Sequence, residues 1–249
     1  MPKASQPHLS LINGLAVLEA VLAAPTAVGS RELARCLGLD RSVTNRLLLT
    51  LASQGMLLRT PRGRYVPGHG VHGLAAISLR SSGLLTHALP LAEQWLDRGC
   101  RFTLGVLWRH HLCHLIVARP GQALNESLGA MPPGDPFVST AGVVLLAQAE
   151  GDMVAKALSA WPMDAALAQR RLDAARSSGY ASHTYDDGTR SLGVAVGAPA
   201  LAAIAVSHQD WTDLDVTAVV GELTQQAAAL AVGCQDVAST LSPVTAPAD

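Results

Sequence analysis

Five polar or basic side chains lie within ten residues of each other, and their types are those that read DNA bases. Arginine can bond guanine through two parallel hydrogen bonds, and asparagine can bond adenine in the same way. The cluster comprises Arg41, Ser42, Asn45, Arg46 and Thr50. On a helix these positions point away from a stripe formed by Leu47, Leu48 and Leu51. The sequence therefore predicts a helix that can present polar atoms to the major groove.

Three further arginines are placed to contact the DNA backbone or, for the two in a predicted hairpin, the minor groove. Arg31 lies at the start of the preceding predicted helix, while Arg62 and Arg64 lie in a predicted hairpin after the polar cluster. Residues 1–70 hold eight basic and three acidic side chains, whereas the rest of the chain holds 10 basic and 16 acidic ones. A basic first segment on an acidic body is typical of a two-part DNA-binding protein. The alternative is a basic face that only contacts solvent.

Three helices are expected to position these side chains. The first is expected to begin at Leu11 with Ser10 as its cap and to end near Ala24, before Pro25. Its buried face is predicted from apolar residues spaced by three or four positions. These are Leu11, Leu15, Leu18 and Leu22.

The second and third helices carry the most specific pattern. The second follows Ser30 and stops at Gly38, a residue that can take a positive φ in a tight turn. A small residue, Ala34, falls where the two helices would pack most closely. The third helix is expected to be capped by Asp40 or Ser42 and to end near Gln54.

Two short strands, at 56–60 and 64–67, follow the third helix. The turn between them is signalled by Pro61-Arg62-Gly63. Three helices and a basic hairpin predict a winged helix-turn-helix domain over residues 1–70.

The rest of the chain is predicted to form a helical linker, a second domain and a tail. The linker spans 71–90 and is broken near Ser81-Ser82-Gly83. Residues 91–236 intermix strands and helices, which predicts one α+β or α/β domain with its own core. The tail, 237–249, is rich in Ser, Thr, Pro and Ala and is expected to be disordered.

The N-terminal pattern SRELARCLGLDRSVTNRLLLTLASQGMLLRTPRGRYVPG resembles the start of an IclR-family transcriptional regulator. The resemblance continues through STAG at 139–142, through Leu172 and RSSGYA at 176–181, and through the predicted strand pair at 188–207. It implies an α+β fold with a winged helix-turn-helix domain and a C-terminal α/β, GAF-like effector domain. It also implies a homodimer or a tetramer of this chain that binds double-stranded operator DNA and a small-molecule effector.

The resemblance also implies where the effector binds. The expected residues come from the start of one helix and from two strands with their flanking loop. They are Thr140, Ala141, Gly142, His183, Ser191 and Ser207. Compared with the family pattern, Val143, Ser191 and Ala205 replace a lysine, a cysteine and a serine, and Val43-Thr44 is reversed in the third helix. Of these and the other departures, Val143, Ala205 and Val194 replace more polar or smaller residues of the family pattern, which favours a more apolar ligand, such as an aromatic acid.

Other functions find less support in the sequence. His110, His111, Cys113 and His114 are suitable metal ligands by type, but neighbours on a strand face opposite sides, which favours an ordinary turn and strand. No GxSxG, HExxH or glycine-rich phosphate loop is present, so we expect neither catalysis nor a cofactor. No apolar run is long enough to span a membrane and the first residues do not resemble a signal peptide, so the chain is expected to be cytoplasmic and not bound to membranes. The four cysteines are far apart in the sequence and are expected to be reduced thiols. Two alternatives remain: a DNA-binding protein whose second domain only dimerises, and an enzyme with a basic interaction head.

Overall fold

The structure, a computed structural model, describes residues 7–149 and 151–240. The chain divides into two compact units, with the boundary between Leu79 and Arg80. Within the described residues, no helix is both long enough and apolar enough to cross a bilayer.

The first unit contains three helices, a two-stranded antiparallel sheet and, after the sheet, most of a fourth helix. The elements are α1 (Leu9–Ala23), α2 (Ser30–Leu37), α3 (Arg41–Ser53), β1 (Leu57–Arg59) and β2 (Tyr65–Pro67). Leu57 pairs with Pro67 and Arg59 with Tyr65, so the hairpin forms as predicted. Its core is built from one or two apolar residues of each element. These are Val17, Val21, Val28, Leu33, Leu48, Leu57 and Tyr65.

The turn between α2 and α3 forms for the reasons that the sequence indicates. Gly38 takes a left-handed conformation with φ of 63°, which a side chain would disfavour. Asp40 then caps α3, because its Oδ1 accepts hydrogen bonds from the backbone N–H groups of Ser42 (2.7 Å) and Val43 (3.2 Å). Ser42 is therefore not the cap.

The first helix differs from the prediction in both its cap and its buried face. It begins at Leu9, before Ser10, and no side chain caps it. Val17 and Val21 face the core, whereas Leu11 remains 63% exposed and Leu15 43% exposed. The predicted leucine face is therefore wrong. The valines and the leucines of α1 both have helical spacing, and only the packing of the other elements determines which of the two faces is buried.

The predicted linker is divided between two helices. Helix α4 (His69–Ser82) has no buried residue, and α5 (Leu84–Asp97) begins directly after Gly83, which has φ of 67°. The break thus lies where the sequence predicts it. Because Leu84 and Ala88 are buried in the core of the second unit, residues 84–90 are part of that unit rather than of a free linker.

A five-stranded sheet forms the centre of the second unit. Its strands are β3 (Arg101–Trp108), β4 (His111–Ala118), β5 (Ala181–Thr184), β6 (Arg190–Val196) and β7 (Ala202–His208). They lie in the order β4-β3-β7-β6-β5, and every pair is antiparallel. The α+β class is confirmed, and the C-terminal domain is the mixed helix-and-sheet domain that the sequence predicts.

Helices cover both faces of this sheet. Helix α5 and the long helix α9 (Asp213–Thr240) pack on one face, around Trp95, Phe102 and Leu223. Helices α6 (Thr140–Gln148), α7 (Gly151–Ala160) and α8 (Ala165–Ser178) form the core of the other face. The side chains of alternate residues in each strand therefore point to opposite faces of the sheet and pack into different cores.

Two elements of this unit, one strand and one helix, differ from the prediction. Strand β5 was predicted as loop, and it is a four-residue edge strand paired only with β6, which leaves little periodic signal. Helix α9 extends to Thr240 instead of ending at Val232, because Leu230, Ala231 and Cys234 continue its buried face. Residues 237–240 are therefore helical, while 241–249, where the rest of the predicted tail falls, lie outside the described residues.

Candidate DNA-binding surface and effector cavity

The predicted base-reading face of α3 is exposed. Arg41, Asn45 and Arg46 all lie on the surface, and within the described chain none of their side chains makes a hydrogen bond or an ion pair. Leu48 on the opposite face is fully buried and fixes the rotation of the helix. Three polar side chains therefore remain available to a partner molecule.

The two hydroxyls of this predicted set already have partners inside the helix. The Ser42 hydroxyl donates to Asp40 Oδ1 at 2.6 Å, and the Thr50 hydroxyl donates to the carbonyl of Arg46 at 2.9 Å. The donors around Asp40, chiefly Ser42, lower the pKa of its carboxyl group, so the cap remains ionised at neutral pH. Ser42 therefore contributes to the start of the recognition helix whether or not it touches a base.

The three arginines that are predicted to contact the DNA backbone differ in whether the protein holds their side chains in place. Arg31 and Arg62 are exposed, and the described structure gives them no hydrogen-bond partner. Arg64 is exposed but held in place: its Nε donates to the carbonyl of Ala27 at 2.6 Å, and its Nη2 lies 3.0 Å from Glu32 Oε2. Arg64 thus connects the hairpin to the start of α2, and only part of its guanidinium remains available for phosphate.

The second unit holds a cavity of about 300 Å³ between the sheet, the start of α6 and the loop before it. Thr140, Ser191 and Ser207 line it, and their hydroxyls form a chain. The Ser207 hydroxyl donates to Ser191 Oγ at 3.1 Å, and Ser191 Oγ lies 2.9 Å from Thr140 Oγ1. Three of the six predicted effector residues therefore meet in one place.

The other three predicted residues do not line this cavity. Ala141 and Gly142 are buried in α6. A Cβ at Gly142 would lie 2.1 Å from the carbonyl oxygen of Pro136, so this glycine allows the helix to pack against the preceding loop. His183 lies on β5 opposite Ser191, but it lines a neighbouring cavity.

Four cavity residues were missed by the sequence analysis. Arg101 and Arg119 provide positive charge, and His114 and Tyr185 provide polar groups of aromatic character. Arg101 pairs with Ser207 across β3 and β7, which places it beside the hydroxyl chain. The sequence pattern predicts this strand only over 103–108, so strand alternation was not applied to Arg101, which begins β3.

The electrostatic character of the cavity favours an anion. Its one acidic lining residue, Asp135, already accepts a hydrogen bond from the backbone N–H of Phe137 at 2.8 Å. Burial lowers the pKa of His114, so its ring is neutral at pH 7. The His114 Nδ1 atom is buried and has no hydrogen-bond partner among the described residues. The cavity thus combines two guanidinium groups with a neutral imidazole.

The histidine-rich turn does not form a metal site in the part of the chain that the structure describes. There, no three His, Cys, Asp or Glu side chains are placed to hold an ion. The His111 ring packs edge-on against Trp161, with ring centres 5.7 Å apart, while His114 lines the cavity.

Comparison with protein-family models finds a match within the first unit. Residues 10–61 match the family model of the IclR helix-turn-helix domain. A comparison with curated proteins finds no match.

Solved structures of similar fold cover almost the whole chain. An IclR transcriptional regulator from Silicibacter sp. TM1040 superposes with a TM-score of 0.74 at 20% identity, covering 94% of this chain and 98% of its own. An IclR-family transcriptional regulator from Brucella abortus superposes with a TM-score of 0.71 at 19% identity, covering 95% of this chain and 94% of its own. An IclR homolog from Microbacterium hydrocarbonoxydans, complexed with 4-hydroxybenzoate, superposes with a TM-score of 0.60 at 20% identity, covering 93% of this chain and 100% of its own.

The fold and the exposed helix face are those of a winged helix-turn-helix protein with a separate C-terminal domain. The resemblance predicted from the sequence is confirmed: the chain has an IclR helix-turn-helix domain and the overall fold of IclR-family regulators.

Proposed function

We propose that this protein is a transcriptional regulator that binds operator DNA through α3 and the hairpin and responds to a small organic acid. The observation that carries the proposal is the exposed face of Arg41, Asn45 and Arg46 within the IclR helix-turn-helix domain. Arg31, Arg62 and the free part of Arg64 would contact phosphates and orient α3 on the duplex. We propose that the protein acts in the cytoplasm and that it is a regulator rather than an enzyme.

Selection of duplexes from a random pool by the full-length protein tests this proposal. We expect one motif to be enriched, and we expect its affinity to fall steeply as salt rises, because several phosphates are contacted. If no motif is enriched, and a random duplex binds as tightly as any selected one, the proposal is wrong.

The cavity of Thr140, Ser191 and Ser207 is the proposed effector site. Arg101 and Arg119 favour a carboxylate, since guanidinium and carboxylate groups pair through two hydrogen bonds. The volume of about 300 Å³ is at the lower end for ligand sites, which favours a small acid. The 4-hydroxybenzoate bound by the Microbacterium hydrocarbonoxydans homolog has this chemistry and is a suitable first probe.

Arg101→Gln should weaken the response of operator binding to 4-hydroxybenzoate. Loss of one charge-assisted hydrogen bond at a partly exposed site corresponds to about a tenfold rise in the acid concentration that gives half the effect. Fluorescence anisotropy of a labelled operator measures this concentration. Arg80→Gln, an exposed arginine outside the cavity, is the matched control and should leave it unchanged. An acid response of equal size in both variants would refute the role of Arg101, and no response to any small acid would favour a second domain that only dimerises.

We also propose that the regulator works as a homodimer, or as a pair of dimers, that sets the spacing of two α3 helices. In support, α4 buries none of its residues in the single chain, and Leu74 and Ile77 are 56% and 65% exposed. Four leucines of α1 are also exposed, namely Leu9, Leu11, Leu15 and Leu22. Exposed apolar stripes on two helices indicate a surface that a second copy covers. An effector that prefers one dimer arrangement would then change operator affinity.

Ile77→Glu should shift the protein toward monomers. A charge in an apolar interface loses hydrophobic burial and must be desolvated, so we expect at least a tenfold rise in the dimer dissociation constant. Sedimentation velocity at several concentrations measures it. Leu201→Glu, which alters an exposed leucine of the second unit, is the control, and equal effects of both changes would contradict an interface on α4.

A further inference from the structure

A second cavity, of about 430 Å³, lies beside the effector cavity and is larger than it. It is enclosed by α6, α8 and β5, whereas the effector cavity opens toward β3 and β4. A short segment, Val138–Thr140, lines both cavities and separates them. We call the larger one the outer cavity.

The outer cavity is positively charged. Arg170 and Arg171 line it, and among the residues that the structure describes no acidic one does. Arg170 is exposed, and the described structure gives it no partner. The guanidinium of Arg171 is fixed in place, because its Nη1 donates to the carbonyl of Phe137 at 2.9 Å and its Nη2 lies 3.3 Å from His183 Nδ1. One cation is thus pre-oriented and the other is free to close over a ligand.

His183 adds a directed donor to this wall. Burial and the charge of Arg171 lower the pKa of His183, so its ring is neutral at pH 7. When Arg171 donates to Nδ1, the proton of the neutral ring must lie on Nε2. The ring therefore offers an N–H group in addition to the arginine donors.

The floor of the outer cavity is apolar. Val143, Ala175 and Ala181 are each less than 7% exposed and line its base. Guanidinium groups and an N–H donor above a small apolar floor fit a ligand that has a carboxylate at one end and an apolar body at the other.

We propose that the outer cavity is a second ligand site, which binds a small apolar carboxylate between Arg170, Arg171 and His183. A carboxylate there competes with the Phe137 carbonyl for Arg171 and so acts on the segment that begins α6. Since Val138–Thr140 also lines the effector cavity, occupation of the two cavities is linked. This site is additional to the effector cavity and does not depend on DNA binding.

Crystals of the full chain grown with 4-bromobenzoate test the location directly, because bromine scatters anomalously. We expect an anomalous peak over Val143, Ala175 and Ala181, with the carboxylate facing Arg170 and Arg171. A peak confined to the cavity of Arg101 and Ser191, or no peak at all, overturns the proposal.

Calorimetry of the same acid in solution separates this site from the effector cavity. Arg170→Gln should weaken one binding event about tenfold, which Arg101→Gln should leave in place. His183→Phe, which keeps a ring but removes the donor, should weaken the same event as Arg170→Gln, and Arg80→Gln should weaken none. Binding that depends on Arg101 but not on Arg170 or His183 overturns the proposal, whatever the outcome of the operator experiments.

Discussion

Arg41→Ala and Asn45→Ala should each reduce operator binding by about 1–3 kcal/mol while leaving binding to unrelated duplexes nearly unchanged. Both side chains lie on the exposed face of α3 and make no hydrogen bond or ion pair within the described chain, so we expect their removal to leave the fold intact. The lost energy is that of hydrogen bonds to base edges, which only the correct sequence can form. Anisotropy titrations with the selected operator and a scrambled duplex of equal length measure both quantities.

Arg62→Ala is the matched control for these two variants. This hairpin arginine is expected to contact phosphate, so its loss should weaken binding to the operator and to the scrambled duplex alike. The slope of log affinity against log salt concentration should fall by the amount that corresponds to about one phosphate contact. If Arg41→Ala and Asn45→Ala behave like Arg62→Ala, then α3 contacts only the DNA backbone and another element must read the sequence.

Gly142→Ala should destabilise the second unit by about 3 kcal/mol, the upper part of the usual range for overpacked sites. The added Cβ would meet three backbone atoms of Pro136, the nearest at 2.1 Å and the others at 2.6 and 2.7 Å. Backbone atoms cannot move aside as the end of a flexible side chain can, so α6 or its preceding loop must shift. Because all four tryptophans lie in the second unit, urea unfolding followed by tryptophan fluorescence reports on that unit alone.

Gly221→Ala provides the control. It alters a glycine in α9 whose added Cβ would meet no atom within 4 Å, so alanine should stabilise the helix by up to about 1 kcal/mol. Equal and small effects at both positions would show that the loop before α6 can yield, and the cavity that it bounds could then not be regarded as rigid.

The exposure of the residues proposed to contact DNA could be predicted because the signals are local. Gly38 requires a turn, Asp40 caps the next helix, and the leucines of α3 determine its rotation. The structure puts Arg41 and Asn45 on the exposed face for these reasons. That Arg64 binds Ala27 and Glu32 depends on contacts between residues more than thirty positions apart, which no local pattern encodes.

The buried face of α1 and the wall of the effector cavity could not be predicted in the same way. On α1 the valines and the leucines have equally good helical spacing, and the choice depends on what packs against the helix. In the cavity, Arg101 and Arg119 lie near the ends of adjacent strands, and their proximity to Ser207 follows from strand register. Register is a property of the assembled sheet, so these arginines were missed even though the hydroxyl residues were found.

The most direct test of the central claim is photo-crosslinking to the operator from α3. Arg46 is replaced by a benzophenone-bearing amino acid, which reacts only with groups a few ångströms away, and the same replacement at Arg170 serves as the control. The account predicts that the probe at position 46 crosslinks to bases of the bound operator and that the probe at position 170 does not. Full operator binding without any crosslink from position 46 would contradict it.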